Sequence, residues 1–275
     1  MARKKLFCEI SPTCYKISVL KEQLLRHLKN IKNKPPYAEE RKDEALPVIL
    51  YSHHSDMIKR GPGIDPELQI NKAENIRLAS SKMNKIVIHP GEIFSFWHYV
   101  GKTSKRNGFK PGRVLVNNKL QPGLGGGLCN LANTIHLLVL HSPLTVTEFH
   151  AHSDCLAPDH GKRVPFSAGT SVNYNYLDYR FKNETQQDVQ LLVWCDGDFL
   201  NAELRAEKDL PYYYDLLEED HFFKKEDDKY YRHSKIYKLT LDKQTDKILD
   251  KKLVLKNHSE VMYDPELIPK ELIKA

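Results

Sequence analysis

Apolar positions in the first part of the chain recur with the period of an α-helix. Between residues 14 and 32 they fall three or four positions apart, which places them on one face of a helix. The same spacing predicts a second helix that starts near Asn71 and continues to Met83. Between the two helices, residues 33–44 combine dense charge with two adjacent prolines and are expected to be a linker, followed by a short strand at 46–51.

The middle of the chain contains a window that excludes charge. Residues 120–147 include no Asp, Glu, Lys or Arg, whereas the chain-wide charged fraction of 28% would place about eight there, so this window is expected to be interior. Its apolar spacing predicts a buried central helix that starts after the glycines at 125–127 and ends near Pro143. Asn130 and other polar residues interrupt the window, which argues against a membrane span.

Strands and a hairpin are predicted after this helix. Runs rich in β-branched and aromatic residues predict strands at 144–150, 171–176, 179–181 and 189–194. Later in the chain, a polar turn separates two strand-like runs, 235–241 and 247–255. Because an isolated hairpin is marginal in water, this one should dock on the main body or on another subunit.

A helix packed among antiparallel strands indicates an α+β fold. We expect a buried central helix against antiparallel β-strands, with an N-terminal helical segment and a C-terminal β-hairpin. The predicted organisation is a basic N-terminal helix and linker at 1–60, a core domain at 61–205, and a charged C-terminal extension with the hairpin at 206–275.

Composition limits the partners of the protein. The 275 residues have a net charge of +6, but residues 1–60 hold 13 Lys and Arg against 7 Asp and Glu, and the remainder balances at 29 against 29. With no nucleic-acid-binding motif, this distribution argues against a nucleic-acid partner. No apolar stretch follows the first basic residues as a signal peptide requires, and the five cysteines are odd in number and widely spaced, so a cytoplasmic location is expected.

Candidate chemistry centres on Cys129. The predicted helix places this cysteine in its first turn, where unpaired backbone N–H groups and the helix dipole lower the pKa of a thiol. Glycines directly before it allow a substrate backbone to approach closely. The residues expected to bind substrate around the thiol are Gly125, Gly126, Gly127, Asn130 and Asn133.

Two histidines provide a candidate base for this thiol. His150 and His152 lie about 20 residues downstream on a predicted strand and share one face of it. A carboxylate should orient the imidazole. Asp178 is favoured because it is predicted to lie on a strand, whereas Asp154 and Asp159 fall in a loop. The predicted catalytic residues are therefore the cysteine, one of these histidines and Asp178.

Other interpretations of these residues stay open. Cys129 in an apolar helix is also typical of a small core residue, and the glycines are also typical of a tight turn or an anion site at a helix N-terminus. Zinc would find soft ligands in Cys129, His150, His152 and Cys155, with His160 close in sequence. The glycines lack the Lys-Ser/Thr of a phosphate-binding loop, so no cofactor is expected.

Seven motifs occur in order along the chain: Asn75-Ile-Arg-Leu-Ala, Pro90-Gly-Glu-Ile-Phe-Ser-Phe, Val100-Gly-Lys-Thr, Asn107-Gly-Phe, Gly125-Gly-Gly-Leu-Cys, His150-Ala-His-Ser and Asp178-Tyr-Arg-Phe-Lys-Asn-Glu-Thr. Together they resemble the VanW family from about residue 45 to the C-terminus. Members of that family commonly have Gln where this chain has Asn130, and Asp-Ala-Thr-Val where this chain has Gly169-Thr-Ser-Val. If the family's acid lay in that pattern, either Asp178 would substitute for it here or the chain would not be an enzyme.

The resemblance implies a setting, cell-wall metabolism and vancomycin resistance, without a defined reaction. Our leading hypothesis is a cysteine-dependent acyl-transfer or amide-cleaving enzyme that acts on a peptidoglycan precursor or related peptide. The competing hypothesis is a non-catalytic protein that holds a wall precursor or an enzyme of a resistance cluster, with Phe94, Phe96, Trp97 and Tyr99 as candidate contacts. A zinc-binding protein is the third.

Overall fold

The structure is a computed structural model that describes residues 6–61, 64–116, 119–156, 158, 166 and 168–274. Among these residues the α-helices are α1 Phe7–Ile10, α2 Pro12–Asn33, α3 Pro66–Ser81, α4 Phe96–Val100 and α5 Leu128–Leu140. The strands are β1 Val48–Asp56, β2 Ile86–Ile88, β3 Ile93–Ser95, β4 Pro111–Val116, β5 Lys119–Leu124, β6 Thr145–Glu148, β7 Asp154–Cys155, β8 Arg180–Lys182, β9 Val189–Asp196, β10 Phe199–Ala206, β11 Tyr212–Glu226, β12 Lys229–Asp242, β13 Ile248–Val261 and β14 Ile273–Lys274. The α+β prediction is confirmed.

Helix α5 is the buried central helix that the uncharged window predicts. Ten of its thirteen residues are buried, and six of them pack into one core with α3 and the sheet formed by β1, β10, β9 and β2. The helix starts after Gly127, whose φ of +101° suits glycine. It ends at Leu140, where the hydroxyl of Ser142 donates to the Val139 carbonyl at 2.9 Å and Pro143 prevents further helical hydrogen bonds.

Helix α3 starts five residues earlier than the apolar spacing predicts. Its N-cap is Asp65, whose Oδ1 accepts from the amides of Glu67 at 2.9 Å and Leu68 at 3.3 Å, with Pro66 at the first helical position. This first turn is mainly polar and exposed, so hydrophobic periodicity does not reveal it. The Asp65 cap fixes the residue at which α3 begins. Lys72 and Asn75, which contact the start of α5, lie on this helix.

The four-stranded sheet has the order β1-β10-β9-β2, and its paired strands are antiparallel. Strand β10, which the sequence interpretation does not include, pairs with β9 across the tight turn at Gly197, whose φ is +51°. Alternate residues of β10, such as Leu200 and Leu204, are fully buried against the helices. Strand β1 belongs to the same sheet, so the core includes residues that precede position 61.

The C-terminal extension forms a second sheet that docks on the main body. The predicted hairpin is β12 and β13, both longer than expected, and β11 adds a third long antiparallel strand. A hydrophobic cluster joins Leu216 and Ile236 of this sheet to Leu137 and Leu140 of α5. The hairpin therefore packs on the body, as its predicted marginal stability requires.

Two predicted strands differ from the structure. Residues 171–176 form a turn with an isolated bridge between Asn173 and Leu177, because polar and turn-forming residues outweigh the local β propensity. Strand β6 ends at Glu148, so His150 and His152 lie beyond it, where the backbone pairs only through a bridge from Ala151 to Thr170. Among the residues described here, no helix is long and apolar enough to cross a membrane.

Candidate ligand-binding site at the start of helix α5

The glycine turn before α5 allows two backbone segments to touch. A Cβ atom on Gly126 would lie 2.2 Å from the carbonyl carbon of Gly112 in β4, a distance that no side chain tolerates. On either side, Gly125 and Gly127 have φ values of +76° and +101°, in the left-handed region. All three glycines are therefore required by backbone geometry, because Thr103, the backbone of Gly112 and Lys72 pack directly against them.

Asn75 of α3 holds this turn in place. Its side-chain nitrogen donates to the carbonyls of Gly126 and Lys110, each at 3.0 Å, and its Oδ1 accepts from the Lys110 amide at 2.8 Å. Asn75 is 1% exposed, so these hydrogen bonds are protected from water. A single buried side chain thereby connects α3, the loop before β4 and the start of α5.

Lys72, one turn before Asn75, lies across the glycine turn. A Cβ atom on Gly127 would lie 2.2 Å from Cγ of Lys72, so the aliphatic stem passes directly over this glycine. Burial, together with the nearby charges of Lys59 and Arg113 and against the opposing effect of Asp56, lowers the pKa of the ammonium to about 8. No carboxylate in the described ranges lies within ion-pair distance of Lys72. Lys72 is thus a half-buried cation whose stem packs on the glycine turn and which has no carboxylate partner in the described ranges.

Cys129 lies in the first turn of α5, as predicted. Its side chain is half-buried, and Sγ donates to the carbonyl of Val172 at 3.9 Å. Burial raises the pKa of the thiol, opposite to the direction that a helix start alone favours. In the part of the chain that the structure describes, no imidazole lies within hydrogen-bond distance of Sγ. The thiol is therefore held mainly in its neutral form.

His152 contacts the same chain segment as the thiol. Its Nδ1 is 2.9 Å from the hydroxyl of Ser171, the residue next to the Val172 that accepts from Cys129. Burial lowers the pKa of the imidazole, which favours the neutral ring. Asn133, one helical turn after Cys129, accepts from the Thr170 amide at 2.6 Å. Segment 169–172 therefore brings the cysteine, Asn133 and His152 together.

His150 belongs to a different set of contacts. Its Nε2 lies 3.0 Å from Oε1 of Glu148, and the same carboxylate accepts from Arg26 of α2 at 2.6 Å. Although burial opposes ionisation of Glu148, hydrogen bonds from Arg26 and His150 lower the pKa of its carboxyl. The carboxylate partner of His150 is thus Glu148 and not Asp178.

Asp178 is fully buried and serves as a hydrogen-bond acceptor for surrounding elements. It accepts from the Ser95 hydroxyl and from Nε of Arg180, each at 2.6 Å, and from the Trp97 amide at 3.1 Å. These bonds join β3, α4 and β8 below the site. None of the described histidines is hydrogen-bonded to this carboxylate.

Asn130 and the four aromatic residues predicted to contact a partner pack against other parts of the protein. Asn130 faces β1, where its side-chain nitrogen donates to the Asp56 carbonyl at 3.3 Å and Ser55 donates to its Oδ1 at 3.4 Å. The aromatic residues considered as a contact surface, Phe94, Phe96 and Trp97, are buried in the core. Tyr99 is half-buried and donates to the Ala38 carbonyl at 2.6 Å.

Among the described residues, Cys129, His150, His152 and Cys155 do not come close enough to share a metal ion. Asp159 and His160 lie outside the described residues. Within those ranges, the side chains close enough to share a metal ion are Glu226, His233 and His258, on β11, β12 and β13. Each imidazole Nε2 lies 2.9 Å from one oxygen of the Glu226 carboxylate, so these three side chains are already hydrogen-bonded to one another.

Lys72 and Asn75 were not among the predicted site residues. Asn75 begins the first of the seven motifs, and Lys72 lies three positions before it, a spacing that brings both residues to the same face of α3. Helical spacing could have indicated that the two act together. Their proximity to the glycine turn depends on how α3 packs against α5, which no local pattern contains.

Comparison with known proteins agrees with these motifs. A family model described as "VanW like protein" matches residues 71–205. Residues 71–205 form a VanW-like domain. This range includes the glycine turn, Lys72, Cys129 and His152, so the candidate site lies entirely within the domain and the predicted resemblance is confirmed.

Two curated proteins are similar to this chain. The vancomycin B-type resistance protein VanW of Enterococcus faecalis is 26% identical over 227 residues, which cover 82% of each chain. The uncharacterised protein YoaR of Bacillus subtilis is 25% identical over 145 residues, covering 49% of this chain and 46% of YoaR. No solved structure matches the chain. The VanW-like similarity thus extends beyond the domain into flanking parts of the chain.

Proposed function

We propose that this protein binds an anionic, peptide-like precursor of the cell wall at the start of α5, as an accessory protein of vancomycin resistance. The observation that supports this function best is the half-buried Lys72 side chain, whose stem packs over Gly127 and whose ammonium has no carboxylate partner in the described ranges. A buried cation is costly unless an anion accompanies it. A bound carboxylate or phosphate would supply that anion.

The surroundings of Lys72 favour negatively charged ligands. The N–H groups in the first turn of α5 and the helix dipole create positive potential at the same place, and Lys59 and Arg113 add to it. Peptidoglycan precursors carry both carboxylates and phosphates on a peptide-like scaffold. The relative that covers most of this chain is named for vancomycin resistance, which supports the choice of such a precursor as the ligand.

A second candidate function is cysteine-dependent acyl transfer at the same site. It is favoured by the shared contacts of Cys129 and His152 with the consecutive residues Val172 and Ser171. In this reaction His152 takes the thiol proton, the thiolate attacks a peptide carbonyl, and the protonated imidazole returns the proton to the departing amine. Water or an acceptor amine then releases the acyl group. Binding is the first candidate because the thiol has a raised pKa and no imidazole partner among the described residues.

Calorimetric titration with a UDP-linked muramyl pentapeptide tests the binding function. We expect Lys72→Met to weaken binding by roughly tenfold or more, because a charge-assisted contact is lost. Lys72→Arg should retain most of the affinity. The control is Lys225→Met, which removes an exposed charge on β11 and should leave affinity unchanged.

The pH dependence of the same titration provides a second measurement. Because the pKa of Lys72 is about 8 without ligand and a bound anion raises it, affinity should fall as pH rises above about 8. In Lys72→Arg the decline should disappear, since arginine stays charged. Equal affinities for the wild type and Lys72→Met at neutral pH would refute the binding proposal.

Mass spectrometry separates the two candidate functions. With the same precursor, the catalytic function predicts an acyl adduct on Cys129 that Cys129→Ala lacks and that His152→Ala forms much more slowly, because this variant lacks the base that takes the thiol proton. The binding function predicts that both variants retain wild-type affinity and that no adduct forms. Capture of a resistance-cluster enzyme without precursor binding would favour the scaffold alternative.

A further inference from the structure

Helix α2 packs on the body with its polar side. The Arg26 guanidinium donates to Glu148 at 2.6 Å, Gln23 donates to the Tyr174 carbonyl at 3.1 Å, and Arg180 donates to Asn30 at 3.2 Å. Amphipathic helices of soluble domains normally bury their apolar side instead. The orientation of α2 is the reverse, because its polar residues find specific partners on the body.

The opposite side of α2 is apolar and exposed. This side, named here the apolar face of α2, consists of Ile17, Leu20, Leu24, Leu28 and Ile31, whose exposed fractions are 50%, 63%, 59%, 54% and 70%. It forms a continuous stripe over four helical turns, about 21 Å long at 1.5 Å per residue. A contiguous exposed apolar surface of this kind marks a site that binds a membrane or another protein.

Cations border the apolar face on both sides. At roughly 100° of rotation per residue, Lys16 falls along one edge of the stripe, and Lys21 and Lys32 fall along the other. All three side chains are exposed. The helix has one carboxylate, Glu22, which lies on the side away from the stripe. Residues 1–34 together contain nine Lys and Arg against two Glu.

We infer that α2 is a membrane-surface helix, which lies flat on an anionic lipid bilayer with its apolar face among the acyl chains. Helices that bind bilayers in this way combine an apolar stripe with flanking lysines, whose long stems reach from the stripe to the lipid headgroups. The charge pattern distinguishes this occupant from a second copy of the chain. Two apolar faces packed together would bring their bordering lysines close, and this like-charge contact opposes association.

The hydrogen bonds between α2 and the body hold this helix in an orientation that suits binding to a membrane surface. Because the polar side is bound to the body through Arg26, the apolar face points away from the protein and can meet a bilayer without rearrangement. The Arg26–Glu148 pair also ties α2 to the end of β6. This inference stands apart from precursor binding, since it uses residues that do not line the start of α5.

Vesicle sedimentation of the full chain tests this inference. The probes are vesicles of phosphatidylcholine alone and of phosphatidylcholine mixed equally with phosphatidylglycerol. We expect the wild type to bind the anionic vesicles at least roughly tenfold more tightly than the neutral ones, with affinity falling as salt is added. Leu24→Glu with Leu28→Glu should reduce binding to anionic vesicles at least tenfold.

The matched control is Ile248→Glu with Leu249→Glu, which introduces the same charges at equally exposed apolar positions of β13. It should bind anionic vesicles within about twofold of the wild type. Circular dichroism checks that both double variants fold, which is expected because glutamate forms helices well and both α2 positions are exposed. Precursor affinity, measured separately, should be the same in both variants.

Two results would overturn the inference. One is wild-type binding that is absent, or equal for neutral and anionic vesicles. The other is a dimer in light scattering that Leu24→Glu with Leu28→Glu converts to a monomer, together with no vesicle binding by either protein. That second result would assign the apolar face of α2 to contact between copies.

Discussion

Gly126 shows how strongly one residue constrains the start of α5. Its backbone contacts that of Gly112, so the closest distance between β4 and the glycine turn is set by the absence of a side chain. Lys72 and Asn75 then occupy the space around that turn, one as a cation above Gly127 and one as a hydrogen-bonding clamp on Gly126. The site is therefore formed by close contacts between residues that are far apart in the sequence.

Alanine at position 126 tests this contact. Because a Cβ atom would lie 2.2 Å from the Gly112 carbonyl carbon, we expect Gly126→Ala to lower the free energy of unfolding by roughly 2–4 kcal/mol in urea titrations. Gly91→Ala is the matched control, since Gly91 has a φ of +87° but a Cβ atom there would meet no other atom within 4 Å. Gly91→Ala should lower the free energy of unfolding by about 1 kcal/mol, which is the cost of the backbone strain alone. Equal costs would show that the contact is not tight.

At the scale of elements, α5 links the VanW-like domain to the C-terminal sheet. The end of the helix receives Lys238 from β12, whose ammonium donates to the carbonyls of Ser142 and Val139 and lies 4.3 Å from the centre of the Tyr214 ring. Burial and, to a smaller extent, the charge of Lys252 lower the pKa of this ammonium to about 7. The helix C-terminus thus holds an amine that changes charge near neutral pH.

The stability of the wild type should rise with pH relative to Lys238→Met. Between about pH 7 and pH 10 the unfolded chain keeps the lysine proton while the folded protein has lost it, so deprotonation favours folding. The slope is at most about 1.4 kcal/mol per pH unit. Chemical unfolding of both proteins from pH 6 to pH 10 measures it. A difference that does not change with pH would mean that Lys238 stays charged.

At the scale of the whole molecule, two hydrophobic clusters share one helix. The larger cluster surrounds α5 within the main body, and the smaller one joins Leu137 and Leu140 to Leu216 and Ile236 of the C-terminal sheet. Removing the smaller cluster would leave apolar positions of α5 in water. The two parts are therefore expected to unfold together.

Ile236→Ala tests this coupling. Ile236 is fully buried, so its truncation should lower the free energy of unfolding by roughly 2–4 kcal/mol and destabilise both parts in one transition. Ile248→Ala, at a position 58% exposed on the neighbouring strand, should cost less than about 0.5 kcal/mol. Tryptophan fluorescence reports the main body and far-UV circular dichroism reports both parts. Separate transitions would contradict the coupling.

The sequence by itself determined the elements whose patterns are local and strong. The uncharged window predicts α5 as a buried helix, the glycines and Pro143 mark its ends, and the alternation around residues 235–255 predicts the hairpin. The first turn of α3 was missed because a polar cap produces weak hydrophobic periodicity. Strand β10 alternates Leu and Ala with polar residues, so its period-2 pattern was present in the sequence and could have predicted it. The position of Cys129 in the first turn of α5 was predictable for the same local reason.

Only the tertiary structure decided which residues meet at the site and which way α2 faces. Spacing along the chain could not show that His150 pairs with Glu148, that Asp178 is enclosed by β3, α4 and β8, or that Lys72 lies over Gly127. Periodicity predicts that α2 has an apolar side but not whether that side is buried. These outcomes depend on contacts between segments far apart in sequence, where packing and hydrogen bonding outweigh the preferences of any single segment.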